Sequence, residues 1–175
     1  MTSGGRLNIT EATTLNSLSG QITLNSNDST VISNSVINSS TGIQINSNTT
    51  GNIDIQGSNL THKQRKGSTF RVNGAAASLI MSRTPIIADS LQIAIGNFVS
   101  IEYCNITTYF DAVNGGAQPD FSIKSANKFI SINRCNILSE GVKLEALNQQ
   151  FFRDGEVSLG MNNFTVISST QLPTF

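Results

Sequence analysis

Several residue types are scarce in this chain of 175 residues, and the scarcities exclude whole classes of protein. Two cysteines are too few for a disulfide-stapled scaffold. Charged residues make up only 13% of the chain, and its eleven basic and eleven acidic side chains cancel. No net field therefore attracts nucleic acid or a membrane surface. No apolar run has the length of a secretory signal or of a membrane span.

Apolar residues are nevertheless spread regularly through a chain that is rich in Ser, Thr and Asn. Ile, Val and Phe recur along it, whereas disordered polar chains lack them. The sequence therefore predicts one folded domain, large enough to bury most of its apolar surface.

A short pattern repeats along the chain: apolar, any residue, apolar, two polar or small residues, a small residue, asparagine, apolar. It occurs in "IDIQGSNLT" from Ile53, "VSIEYCNIT" from Val99, "ISINRCNIL" from Ile130 and "VSLGMNNFT" from Val157, in "TVISNSVIN" from Thr30 with Val36 in the asparagine slot, and more loosely in "ASLIMSR" from Ala77. A second series precedes the first: "ITLNSND" from Ile22, "IQINSNT" from Ile43, "FRVNGAA" from Phe70, "LQIAIGN" from Leu91 and "FSIKSAN" from Phe121. Self-similarity of this kind indicates a repeat architecture.

The repeated segments alternate apolar and polar residues, which is typical of short half-buried β-strands. Two strands per repeat, always in the same order, indicate a chain that winds around an axis and stacks parallel strand on parallel strand. The nearest approach to a helical stripe is residues 140–152, which could form one short helix or a long loop. The apolar positions of that segment are Val142, Leu144, Leu147 and Phe151.

The chain resembles the right-handed parallel β-helix superfamily, which includes pectate lyases, phage tailspikes and filamentous adhesins. The resemblance is based on the repeats "IDIQGSNLT", "VSIEYCNIT" and "ISINRCNIL". The resemblance spans residues 22–168. It implies an all-β fold, a single-stranded right-handed parallel β-helix (solenoid) of about six coils. Residues 1–21 would be an N-terminal lead or cap and residues 169–175 a C-terminal tail. The motif is specific for the fold and implies no particular activity.

Two neighbouring slots of the repeat have a predicted structural role. The first is a tight turn position that takes small side chains: Ser35, Ser58, Cys104, Cys135 and Asn162. The second holds Asn59, Asn105, Asn136 and Asn163. We expect these asparagines to stack along the axis, to hydrogen-bond one another and to satisfy the backbone of the turn.

The cysteine pair allows two interpretations. Neighbouring strands lie about 4.8 Å apart, which a disulfide can bridge. Stacked parallel side chains rarely have the required torsion, however, and reduced thiols pack well as small hydrophobic groups. A metal site is disfavoured because His62 is the only histidine and lies on another segment. No motif predicts a cofactor.

The segment "THKQRKG", residues 61–67, is the one basic cluster and is predicted to protrude as a loop. Its basic residues could hold an anionic sugar or phosphate: His62, Lys63, Arg65 and Lys66. The alternative is a solvated loop that keeps a neutral protein soluble. The cluster lacks interleaved aromatic residues and is a weak signal for nucleic acid.

Two insertions, 107–120 and 139–156, interrupt the repeat. Their aromatic residues are candidates for binding a partner, for capping an open end or for covering the sheets of their own chain: Tyr109, Phe110, Phe151 and Phe152.

Outward-facing carboxylates would be needed by a polysaccharide lyase or glycoside hydrolase. Asp54 and Glu102 are predicted to lie two turns apart, about 12 Å from strand geometry. A glycosidase needs roughly 5–9.5 Å between its carboxyl groups. Asp111 and Asp120 in the first insertion could approach either of them, and the family's calcium-binding and catalytic arginine motifs are not recognisable.

The sequence favours a non-enzymatic structural solenoid: a shaft, spike or fibre domain of a virion, such as a phage tail, or of a cell-surface assembly. Unpaired strands at its ends favour self-association, with a homotrimer as one option, or contact with other subunits. An adhesin or carbohydrate-binding module that recognises surface polysaccharide is the alternative, and a lyase or hydrolase is the second alternative. The expected location is the virion, the cell surface or the extracellular space.

Overall fold

The computed structural model describes residues 1–48, 50–62, 69–108, 121–126, 129–139, 141–148, 153–154 and 156–166. Within these residues the chain forms 22 β-strands and no helix, so none of them forms a helix that could span a membrane. The strands build three sheets that together form a parallel β-solenoid of about six turns.

Each turn contributes one strand to each sheet, apart from the additional strand β20 in the first sheet, and the strands are numbered in chain order. The first sheet contains β1 (Thr2–Ser3), β4 (Ile22–Ser26), β7 (Ile43–Ser47), β10 (Thr69–Gly74), β13 (Ser90–Ile95), β16 (Phe121–Ser125), β19 (Val142–Asn148) and β20 (Arg153–Asp154). The second sheet contains β2 (Leu7–Ile9), β5 (Thr30–Ser33), β8 (Ile53–Gln56), β11 (Leu79–Ser82), β14 (Val99–Glu102), β17 (Phe129–Asn133) and β21 (Glu156–Gly160). The third sheet contains β3 (Thr14–Ser17), β6 (Val36–Ser39), β9 (Asn59–His62), β12 (Pro85–Ala88), β15 (Asn105–Thr108), β18 (Asn136–Ser139) and β22 (Asn163–Val166). The β19–β20 pair is antiparallel.

The register places equivalent residues of successive turns directly over one another, and we call each such file a row. In the second sheet, Ile55 pairs with Met81 and Met81 with Ile101. All three side chains are fully buried. Burial of one such side chain contributes about 1.5–3 kcal/mol, so the inward rows of the three sheets are the main source of stability.

The structure confirms the predicted all-β solenoid of about six coils and is consistent with a right-handed parallel β-helix. It adds a third strand to each turn, where the sequence predicts two. The pattern "VSIEYCNIT" forms two strands, β14 and β15, because Tyr103 between them adopts a positive φ of 55° and bends the chain.

The segment 140–152, a predicted helix or loop, is corrected by the structure over much of its length. Val142–Asn148 form strand β19, which pairs in parallel register with β16. Val142 lies beside Phe121 and Leu144 beside Ile123, so both residues extend inward rows of the first sheet. The two-residue alternation therefore outweighs the weaker helical spacing.

The predicted N-terminal lead or cap, residues 1–21, contains the first turn of the solenoid. Strands β1, β2 and β3 pair in parallel with β4, β5 and β6 respectively. The predicted C-terminal tail, 169–175, lies outside the described residues.

Candidate functional site at a corner of the solenoid

The second and third sheets meet at a corner that is built the same way on every turn. One residue there has a φ between 48° and 59°, preceded on the first turn by Glu11 with a φ of 60°, and the next residue is small and points inward. The residues with positive φ form an outer row: Ala12, Asn34, Gly57, Arg83, Tyr103, Arg134 and Met161. The backbone N–H of the first six of these residues donates a hydrogen bond to the next turn. Tyr103 N–H, for example, donates to the Asn133 carbonyl at 3.0 Å.

The small inward residues form a second row, which satisfies buried backbone groups. The Ser58 hydroxyl donates to its own turn, to the Gln56 carbonyl at 3.0 Å, and accepts the Ser35 N–H at 3.2 Å. Cys135 repeats the arrangement with sulfur: its Sγ lies 3.4 Å from the Cys104 nitrogen that donates to it. The thiols therefore occupy the place that hydroxyl groups occupy on other turns, where buried N–H groups need an acceptor.

Cys104 and Cys135 are both free and buried. The interaction of the Cys104 thiol with the Cys135 thiol, together with burial, raises the pKa of Cys104, and the same interaction lowers the pKa of Cys135 to about 7. The Cys104 thiol donates to the Glu102 carbonyl, with 3.3 Å between sulfur and oxygen. Within the described residues, no group of three or more His, Cys, Asp or Glu side chains is arranged to hold a metal ion.

The outer row changes character along the solenoid. Asn34 and Gly57 tolerate a positive φ, whereas other residues there cost roughly 1–2 kcal/mol each. On four successive turns the chain nevertheless has Arg83, Tyr103, Arg134 and Met161, and we call these four residues the ridge. All four are exposed at the surface of the solenoid.

The side chains of the ridge contact one another. The Arg134 guanidinium carbon lies 5.2 Å from the centre of the Tyr103 ring, and Arg134 Nη1 donates a hydrogen bond to the Tyr103 hydroxyl. Cation–π contact of this kind fixes the orientation of both groups. The Tyr103 side chain is held in place although 46% of the residue is exposed.

The asparagine slot lies beside the ridge, on the outer face of the third sheet. Asn105, Asn136 and Asn163 stand in register on successive strands, and Asn163 Nδ2 donates to Asn136 Oδ1 at 3.1 Å. Asn59 is separated from them by the strand of Pro85, and its Oδ1 accepts from Thr61 at 2.9 Å. All four asparagines are exposed, so they form an outward row instead of bonding to the turn backbone.

A second amide row, which the repeat pattern did not reveal, lies on the outer face of the first sheet. Asn46 Nδ2 donates to Asn25 Oδ1 at 2.7 Å, and Asn73 Nδ2 donates to Asn46 Oδ1 at 3.1 Å. Asn46 also accepts from Gln44 at 3.2 Å. The signal was present in the sequence, because "ITLNS", "IQINS" and "FRVNG" have asparagine at the same strand position.

His62 does not protrude with the predicted basic loop. It is buried at the end of β9, at an inward position beside Ser39, and its Nε2 lies 3.5 Å from Asp89 Oδ2. His62 lies two residues after the inward Leu60, so its side chain also points into the interior. The other predicted binding residues lie outside the described residues: Lys63, Arg65, Lys66, Tyr109, Phe110, Phe151 and Phe152.

The two acids Asp54 and Glu102 lie on the outer face of the second sheet, on different rows. Asp54 pairs with Ile80, Ile80 with Ser100, and Glu102 follows two residues after Ser100. Two strand spacings alone amount to roughly 10 Å. The two carboxylates are therefore too far apart to act as a glycosidase pair. Asp54 accepts hydrogen bonds from Gln56 at 2.9 and 3.1 Å. It also lines a groove of about 350 Å³ together with Arg6 and Asp28.

Comparison of the chain with protein-family models, with curated proteins and with solved structures finds no match. The candidate function is therefore inferred from the chemistry and arrangement of the chain's own residues.

Proposed function

We propose that this protein is a structural β-solenoid that serves as a shaft, spike or fibre domain of a virion or of a cell-surface assembly. The observation that supports this proposal is the unbroken stacking of inward rows. One row of the second sheet runs in register through Ile9, Ile32, Ile55, Met81, Ile101 and Ile132. Each of these side chains is at most 4% exposed.

A core of this kind suits a rod more than a compact receptor. Every turn packs only against the turns beside it, so the molecule is stabilised along its axis by repeated contacts of the same type. The outer faces are mainly polar and uncharged, with hydrogen-bonded amide rows such as Asn25, Asn46 and Asn73.

Association with other subunits is part of the proposal, because the last described turn exposes residues at inward positions. Val157 pairs with Ile130 and Leu159 with Ile132. The residues of the lower turn are fully buried, whereas Val157 and Leu159 are 39% and 48% exposed. Apolar surface and unpaired strand edges of this kind favour contact with another chain or domain.

Light scattering of the purified full chain tests the proposal. We expect a mass that is a multiple of 18.7 kDa, with a trimer as one option. The assembled mass should persist on dilution into the low micromolar range. A strict monomer at all concentrations would contradict a self-assembling shaft.

We propose binding of surface carbohydrate, as in an adhesin, as the second candidate function. Rows of exposed amides at the strand spacing of about 4.8 Å offer donors and acceptors in a regular array. Asn105, Asn136 and Asn163 form one such array beside the exposed ring of Tyr103. A glycan panel that includes neutral and acidic polysaccharides tests this candidate, and it fails if the wild-type chain binds none of them.

A further inference from the structure

We propose that the ridge and the asparagine row beside it form a binding surface for an acidic polysaccharide, with the chain lying along the solenoid axis. This inference rests on the second candidate function and names its site and ligand class. The surface consists of Arg83, Tyr103 and Arg134 on the ridge and of Asn105 and Asn136 on the adjacent row.

The first argument is conformational. Asn34 and Gly57 build the same turn with residues that tolerate a positive φ, so the geometry of the turn does not require long side chains. Arg83, Tyr103 and Arg134 adopt the same unfavourable backbone conformation on three consecutive turns. Strained residues that project functional groups outward are typical of binding sites.

The second argument is chemical. The two arginines present planar donors that pair with carboxylate or sulfate groups. Arg134 holds the exposed Tyr103 ring in a fixed orientation, and such a ring offers apolar surface to a sugar face. The amides of Asn105 and Asn136 both donate and accept hydrogen bonds, as sugar hydroxyl groups require.

The third argument is electrostatic and geometric. The ridge has two positive charges, on Arg83 and Arg134. Among the described residues of the two rows that flank it, the one acidic side chain is Glu102. The local charge is therefore positive on a protein whose net charge is zero. Arg83 and Arg134 lie two strand spacings apart, roughly 10 Å, so they fit charges that repeat along a polymer better than a single anion.

Substitution by asparagine gives a test that preserves the fold, since Asn34 occupies the equivalent position. The test variant is R83N/Y103N/R134N in the full chain. The matched control is R71N, which removes an exposed arginine from the outer face of the first sheet. Binding of alginate, dextran and single-stranded DNA is measured by titration calorimetry at low and at physiological salt, and thermal unfolding checks that each variant is folded.

We expect the wild type and R71N to bind alginate alike, and the triple variant to bind about tenfold or more weakly while it melts no lower than the wild type. Equal alginate binding by all three proteins would overturn the ridge assignment and leave the carbohydrate-binding function standing. If the triple variant lost dextran binding to the same extent as alginate binding, the acidic-polysaccharide ligand class would be overturned. DNA binding by the wild type as tight as its alginate binding would also overturn that class. A wild type that binds dextran but not alginate would overturn the inference alone, whereas binding of neither polysaccharide by the wild type would overturn both the inference and the carbohydrate-binding function.

Discussion

At the scale of single residues, the corner between the second and third sheets explains why the cysteines occur where they do. Ser35, Ser58 and Thr84 place a hydroxyl group at the inward turn position of other turns, with Thr84 Oγ1 2.9 Å from the Ser82 carbonyl. A thiol is larger and a weaker hydrogen-bonding group, but it meets the same two requirements: it accepts one N–H and contacts one carbonyl. The cysteines are therefore explained by packing and hydrogen bonding alone.

The thiol content of the folded and unfolded protein tests this explanation. In native buffer at pH 8 without reductant, we expect Cys104 and Cys135 to react very slowly with Ellman's reagent. They are 1% and 3% exposed, and this burial keeps the reagent from both sulfur atoms, although the interaction that raises the pKa of Cys104 lowers the pKa of Cys135 to about 7. In denaturant, two thiols per chain should react at once. Zero thiols in denaturant would show a disulfide between the two turns and contradict the free thiols of the structure.

At the scale of strands and turns, the sequence predicts the solenoid because its signal is periodic. Inward residues such as Ile55 and Ile101 recur at the same place in each repeat, and the parallel register follows from that recurrence. The third strand of each turn is not predicted, because a single residue with positive φ separates it from the strand before. Arg83, Tyr103 and Arg134 give no local signal for that conformation, since long side chains normally avoid it.

The candidate site is harder to predict than the fold for the same reason. Cys104 and Asn105 are visible in the sequence as repeated residues, but the position before the cysteine varies between Asn, Gly, Arg, Tyr and Met and does not enter the repeat. The burial of His62 is also hidden, because its partner Asp89 comes 27 residues later on the next turn. Contacts between turns depend on the register, and a sequence pattern reveals only the positions that repeat.

The corner between the first and second sheets depends on glycine where successive turns approach most closely. A Cβ on Gly96 would lie 1.8 Å from the carbonyl oxygen of Ala75 on the preceding turn. We expect Gly96→Ala to lower the free energy of unfolding by about 1–3 kcal/mol or more, because the backbone must move to remove the clash. Urea unfolding followed by circular dichroism measures the change.

Gly4→Ala is the matched control for this substitution, since nothing lies within 4 Å of a Cβ at Gly4. Its unfolding midpoint should stay close to that of the wild type. If the two variants unfold at the same urea concentration, the close approach of Gly96 to Ala75 is not present in solution.

At the scale of the whole molecule, stability should depend on position along the axis, because each turn contacts only its neighbours. Val99 and Val157 allow a direct comparison. They occupy the same inward row of the second sheet, through the pairs Val99 with Ile130 and Ile130 with Val157. Val99 lies between two turns and is fully buried, whereas Val157 lies on the last described turn and is 39% exposed.

The same truncation at both sites should therefore have unequal effects. We expect Val99→Ala to lower the free energy of unfolding by about 2 kcal/mol, from lost burial and a new cavity, and Val157→Ala by less than about 1 kcal/mol. Both are measured by urea unfolding at a protein concentration where light scattering shows dissociated chains. If both substitutions lower the free energy of unfolding equally under these conditions, Val157 is covered by other residues of its own chain. If the cost of Val157→Ala rises to that of Val99→Ala only at concentrations where the chains assemble, the exposed last turn is the surface through which they associate.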